Sequence, residues 1–238
     1  MADIAPCSGR RLWAERPTVR TGPWGVVVAK QSRSENTWLH LVRSAAELFD
    51  RLGFSGATLE DVSRSAGVTK GAFYFHFSSK DELGGAIQAE ACGLLRSAVY
   101  GVVGAGLPAL QALVDLTHEL AWWLECEPLV RASFRTAREC GHRGRPFLDF
   151  HEEWLAAVES LLRRAQRAGE LAPGVAVEHA VTLVLTVSAG LELLWWAKIR
   201  SGAMGDSLTG MWSLTLPGLA APALAPRLRP AGTSRTAG

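Results

Sequence analysis

The run Ala66-Gly67-Val68-Thr69-Lys70-Gly71-Ala72-Phe73-Tyr74-Phe75-His76-Phe77-Ser78-Ser79-Lys80 constrains this chain more than any other stretch. Gly67 takes positive φ without steric cost, as the turn between two short helices requires. Thr69 can cap the helix that follows, and that helix opens on Lys70, Gly71 and Ala72. One long side chain beside two absent or small ones lets a helix start approach base edges closely. Tyr74, His76 and Lys80 add a hydroxyl, an imidazole and an ammonium, the donor types that bind phosphate oxygens. Phe73, Phe75 and Phe77 fit the core of a short helix, but core packing does not account for the polar residues between them.

The preceding residues agree. Thr58 is placed to N-cap a helix running to Ala66, with Asp61 as the acid of a capping box and Leu59, Val62 and Ala66 on one face. Upstream, Trp38, Leu41, Val42, Ala45, Leu48, Phe49 and Leu52 recur at helical spacing, and Gly53 stops the run. The pattern predicts a three-helix DNA-reading unit over 28–80, with Thr58, Thr69, Lys70, Gly71, Ala72, Tyr74, His76 and Lys80 as its DNA-binding residues.

With 238 residues, the chain has room for that unit and a larger second one. The net charge is only +2, too small for a nonspecific nucleic-acid coat. Within 28–80, Lys30, Arg33, Arg43, Arg51, Arg64, Lys70 and Lys80 stand against Glu35, Glu47, Asp50, Glu60 and Asp61, so phosphate binding must rest on a few side chains. Cysteines 7, 92, 126 and 140 show no C-x-x-C spacing, and a reduced cytoplasmic setting fits them. Cys140 and His142 make only two potential ligands in a Gly/Arg-rich loop, so no metal site and no cofactor are assigned.

Residues 1–27 carry Pro6, Pro17 and Pro23 without periodicity and are expected to be disordered. Two readings stand for them: a start of translation near Val26 to Val28, or a basic arm that touches DNA. Beyond Lys80 the chain reads as successive helices with no strand alternation, which makes the fold all-α. Residues 81–222 form a helical ligand-binding and dimerisation domain and 223–238 a flexible tail. Gly84-Gly85 offers a hinge in the helix leaving the DNA-reading unit, since each glycine weakens a helix by about 1 kcal/mol relative to alanine. A helix from Pro128 through Phe134 precedes a loop over Gly141 to Pro146. Residues 180–197 approach membrane-spanning length, but Glu192 interrupts them and Ser188-Ala189-Gly190 suits close packing, so a buried helix is expected rather than a membrane span. With Leu183, Val187, Gly190, Leu191 and Leu194, that helix is the expected homodimer interface, with help from Leu208 to Leu216.

The DNA-reading run resembles the tetracycline-repressor (TetR) family of bacterial regulators, through Ala45-Ala46-Glu47-Leu48-Phe49, Gly53-Phe54, Ala66 to Gly71, Tyr74 to Phe77 and Ser79-Lys80-Asp81-Glu82-Leu83. Pro128 to Ala132, Pro146-Phe147, Gly169 to Val175, Met211-Trp212 and Leu216 to Pro222 resemble the family's γ-butyrolactone-receptor branch. The resemblance implies a homodimer on a palindromic operator in double-stranded DNA, repressing secondary-metabolism genes until a small hydrophobic effector binds. Trp123, Phe150 and Trp154 are the expected aromatic lining. Members of the branch carry a Trp, a hydroxyl residue and a Gln where this chain has Phe150, Ala189 and Ala91. Trp154, Thr186 or Ser188, and Gln88 stand nearby as substitutes. Two effector classes therefore stay open, a γ-butyrolactone or, as for a pseudo-receptor, an antibiotic or biosynthetic intermediate.

Two other functions compete with this reading. A helical enzyme acting on small molecules has Glu152, Glu153, His118 and His151 as acid–base candidates, but no nucleophile elbow, phosphate loop or metal spacing accompanies them. An interaction module without DNA binding leaves Thr69, Lys70, Tyr74, His76 and Lys80 unexplained.

Overall fold

Apolar side chains at helical spacing bury one stripe of each segment, and in the computed structural model those stripes meet in two cores. The structure describes residues 25–140, 147–199 and 202–233, with side chains from residue 34 onward. Among them the fold is all-α. The helices are α1 (Gly25–Leu52), α2 (Leu59–Ser65), α3 (Lys70–His76), α4 (Lys80–Gly104), α5 (Ala109–Cys126), α6 (Pro128–Cys140), α7 (Asp149–Arg167), α8 (Val177–Trp196) and α9 (Met204–Leu219). α1 begins inside the segment expected to be disordered; residues 1–24 and the loop at 141–146 lie outside the described residues.

The first core joins Leu41, Val42, Phe49, Val62, Phe73 and Phe77 with Leu83 and Ile87 from the first turns of α4 and Leu129, Ala132 and Cys140 from α6. The DNA-reading unit is thus not closed by its own three helices. α6 runs beyond Phe134 because its small residues Ala132, Ser133, Thr136, Ala137 and Cys140 are buried where the helix packs along α1 and α4. The second core gathers α5, α7, α8 and α9 around Leu113, Leu116, Phe150, Leu162 and Trp212, whose Nε1–H donates to Thr117 Oγ1 at 2.9 Å.

Two expectations are corrected. α4 passes through Gly84-Gly85 without a break. Gly84 is buried under two rings, and a Cβ there would come within 2.8 Å of Phe147 Cε1 and 3.2 Å of Phe54 Cε2. The glycine permits close approach rather than bending. The tail is not free either, at least to Thr233. Ala220 bridges Leu171, residues Ala225–Arg227 form a 3-10 turn, and Leu228 is buried. Gln111 of α5 then holds Arg229 by both backbone groups, donating to its carbonyl at 3.2 Å and accepting from its N–H at 2.7 Å. His118 bonds the Pro230 carbonyl and Asp115 accepts from the Thr233 N–H at 2.8 Å. A composition rich in Pro and Ala carries no sign of this polar stripe on a distant helix. α8 buries Val177, Ala180, Val181, Val184 and Glu192 and leans on the core with Leu185, Val187, Leu191 and Trp195, which leaves Leu183, Leu193 and Trp196 exposed in one chain. By length and composition alone it could cross a membrane, but its one central acid, Glu192, is paired with Arg138 of α6.

Candidate nucleic-acid interface and effector region

Local chemistry builds the helix-turn-helix as its sequence predicts. Thr58 and Asp61 form a complete capping box, the Asp61 N–H donating to Thr58 Oγ1 at 3.1 Å and the Thr58 N–H to Asp61 Oδ2 at 3.2 Å. Hydrogen bonds from the Thr58 hydroxyl and then its backbone hold the Asp61 carboxyl below its ordinary pKa. Gly67 turns the chain at φ 64°, with the Val68 N–H reaching back to Ser63 O at 3.0 Å. Thr69 caps α3 by accepting from the Ala72 N–H at 3.2 Å. Ser79 caps α4, and Glu82 reaches back to the Ser78 N–H at 2.8 Å, fixing the exit from α3.

This frame leaves one face of α3 open. Lys70, Gly71, Ala72 and Tyr74 are exposed together, and nothing would crowd a Cβ at Gly71. Phe73 and Phe77, one turn apart, are buried, whereas Phe75 points the opposite way and is 79% exposed. Phe75 therefore stands among the residues presented on this open face. The spacing was the available signal, since residues two apart on a helix face opposite sides. Lys70 is tied to α2 through Glu60, at 2.8 Å. That hydrogen bond, and then the opposite charge, hold the Glu60 carboxyl below and the Lys70 ammonium above their ordinary pKa values. Lys80 is turned inward, donating to the Ala57 carbonyl at 2.9 Å with its ammonium 4.7 Å from the centre of the Phe54 ring. Thr58 and Thr69 spend their hydroxyls on caps, so what they offer a ligand is placement of neighbours.

The residues expected around an effector are gathered only in part. Trp123, Phe150 and Trp154 are buried in the second core, and the Trp154 Nε1–H has no acceptor there. The hydroxyls of Ser133 and Thr136 and the Nδ1 of His151 are likewise buried without partners. Gln88 is fully buried with both ends of its amide engaged, donating to the Ser133 carbonyl at 3.1 Å and accepting from the Phe150 N–H at 3.3 Å. It ties α4, α6 and α7 together instead of offering a free grip. Thr186 is exposed on α8, and the Ser188 hydroxyl is turned back onto the Val184 carbonyl at 2.8 Å. Among the expected interface residues Leu183 is exposed and Gly190 has open space above it, while Val187 and Leu191 lean on the core and Leu194 is half-buried. The more exposed large apolar residues on α8 and α9 are Leu193 and Trp196, each 49% exposed, and Leu214, 84% exposed.

A helix-turn-helix with an open second helix, carried on a larger helical body, defines a DNA-binding transcriptional regulator. Residues 41–87 match the model of the bacterial regulatory proteins of the tetR family. The chain is 30% identical to the A-factor receptor protein of Streptomyces griseus over 207 residues, 86% of this chain and 71% of that protein. It therefore belongs to the TetR family and is related to the A-factor and γ-butyrolactone receptors. Among solved structures, a γ-butyrolactone receptor described as ArpA-like is 28% identical with TM-score 0.66, covering 84% of this chain and 96% of that one. The TetR-family protein CprB of Streptomyces coelicolor, in complex with its operator sequence, is 30% identical with TM-score 0.65, covering 82% and 94%.

Proposed function

We propose that this regulator is a cytoplasmic homodimeric repressor that binds a palindromic operator in double-stranded DNA, controls secondary-metabolite genes, and is released by a small, largely apolar effector. The observation that carries the reading is the open face of α3, where Lys70, Gly71, Ala72, Tyr74 and Phe75 are exposed together at the end of a rigidly capped helix-turn-helix. One such head reads only a few base pairs, so two-fold symmetry extends the site. In this reading residues 28–80 contact DNA and 81–222 hold the effector and the partner copy.

The effector is received around Trp123, Phe150 and Trp154. Ligand sites are apolar and aromatic with few polar groups, and the unpaired Trp154 Nε1–H supplies a donor for a carbonyl or carboxylate oxygen. Because Phe150, Ala189 and Ala91 replace the branch's usual grips, a bulky aromatic or polyketide-like compound is favoured over a simple butyrolactone. A hundredfold loss of DNA affinity requires about 2.7 kcal/mol of preferential effector binding to the DNA-free form.

The test starts by selecting duplexes from a random-sequence library with the full-length protein. The selected DNA is then titrated with a synthetic γ-butyrolactone and with a polycyclic aromatic polyketide, against wild type and Trp154→Phe. Release by the polyketide, weakened in Trp154→Phe, is expected. Tight butyrolactone-driven release that is indifferent to Trp154→Phe rejects both the pocket and the effector class.

A further inference from the structure

The turn that carries the chain from α1 into α2 is gripped by residues from outside the DNA-reading head. At the end of α1 the last carbonyls lack helical partners, and Arg135 of α6 donates from Nη1 to the Asp50 carbonyl at 2.6 Å. Arg131, one turn earlier, pairs with the Asp50 carboxylate at 2.8 Å. Glu139, one turn later, accepts the Ser55 N–H at 3.0 Å and is fixed by Arg135 Nε at 2.9 Å. Gly53, at φ 85°, holds a backbone conformation that side chains strain, and the Glu139 carboxylate sits against it where a Cβ would project. From the segment leading into α7, Phe147 lays its ring on Phe54, centroids 5.3 Å apart, over the space Gly84 leaves open. α6 thus satisfies the Asp50 carbonyl and the Ser55 N–H, while the Gly53 N–H and carbonyl bond within the turn, and the Phe54 ring is covered by Phe49 and Phe147.

We propose that Arg135 and Glu139 are positioning residues for DNA recognition: by fixing the α1–α2 turn against α6, they set how far apart two copies hold their α3 helices, and so which half-site spacing the dimer accepts. The inference rests on the dimeric, operator-binding reading above. Its physical basis is that α2 and α3 are rigid once capped, so the head's orientation is decided where the chain enters it. Charge-assisted hydrogen bonds are stronger and more directional than neutral ones. One base pair is about 3.4 Å along the duplex, so a small rotation at this turn changes the spacing that fits. The half-site sequence, read by α3, is untouched.

The experiment selects duplexes from a random library with full-length wild type, Glu139→Gln, Arg135→Met and the conservative Arg135→Lys, each checked for helical content and dimer mass. Wild type is expected to select one half-site sequence at one spacing. Glu139→Gln and Arg135→Met are expected to select the same half-site at several spacings, and to bind the wild-type duplex roughly tenfold more weakly. Binding to a single half-site should stay within about twofold, and Arg135→Lys should lie between. Folded variants that keep the single spacing and the affinity overturn the inference. So do folded variants that lose the half-site itself, since the two residues would then serve the folding of the head. A wild type that selects no two-fold sequence overturns the proposed function, and this inference with it.

Discussion

Lys70 Nζ lies 2.8 Å from Glu60 Oε1, so the cation that opens the reading helix is held, in the free protein, by an acid of the helix before it. Binding DNA through Lys70 means exchanging Glu60 for a phosphate or a base edge. The pair is fully exposed, so it adds little to stability, and its consequence is for recognition. Glu60→Gln should raise affinity for selected DNA several-fold and Lys70→Ala should lower it. If Lys70 neutralises one phosphate, its loss reduces the slope of log affinity against log salt by about 0.9. Anisotropy titrations at several salt concentrations read both effects, and an unchanged slope in Lys70→Ala removes this residue from phosphate binding.

The α8–α9 face yields a sharper dimer prediction than helical spacing alone. Leu183 and Leu193 are exposed on α8 and Leu214 on α9, whereas Val187 and Leu191 already pack on the core. Leu193→Glu and Leu214→Glu should give folded monomers that bind a palindrome poorly, because a buried unpaired carboxylate is costly at an apolar interface. Val187→Glu and Leu191→Glu should lower thermal stability as well. Light scattering that finds intact dimers for both Leu193→Glu and Leu214→Glu would place the interface elsewhere.

What could be read in the sequence was what is local. Gly67, the Thr58–Asp61 box and the Thr69 cap act within a few residues, and each is where its spacing puts it. The grip of Arg135 and Glu139 on Asp50 and Ser55 crosses more than eighty positions, and no periodicity announces it. Gly84 was misread for the same reason. A glycine in a helix looks like a weak point until Phe54 and Phe147 are seen pressing on it. Gln88, Thr186 and Ser188 stand near in sequence to the positions where the branch carries its Gln and hydroxyl, but nearness in sequence does not fix direction: the amide of Gln88 is consumed by a three-helix junction and Thr186 faces outward.

His151 predicts a pH effect. Burial first, and then the nearby charge of Arg138, hold its pKa below the ordinary 6.5, and its ring packs on Phe134 with centroids 4.4 Å apart. The native imidazole is therefore neutral where the unfolded one takes up a proton. The unfolded state binds more protons between the two pKa values, so this contribution to stability is complete above about pH 6.5 and is lost as pH falls through the native pKa. His151→Phe keeps the ring packing and removes the proton site. Denaturant titrations at pH 7.5 and 5.5 should show a smaller stability difference in the variant than in wild type. An equal difference would assign the acid sensitivity to other groups.

The ordered C-terminal strap makes the last prediction. Gln111, Asp115 and His118, spaced along one face of α5, hold the backbone of Arg229, Thr233 and Pro230, and Leu228 is buried beneath them. Ending the chain after Pro222 exposes the site of Leu228, whose burial is worth about 1.5–3 kcal/mol. It also removes partners from Gln111 and Asp115, at about 1 kcal/mol for each hydrogen bond lost. The truncated protein should be less stable by about 3–5 kcal/mol, with Tm lower by roughly 6–20 °C. Asp115→Ala should reproduce part of that loss in the full-length chain, because it removes the acceptor for Thr233. Among the described residues the strap is bonded to α5, away from α3 and the α1–α2 turn, so the half-site sequence and spacing selected by the truncated protein below its Tm should match wild type. A truncated protein with unchanged Tm would mean that the strap lies on α5 without contributing to its stability.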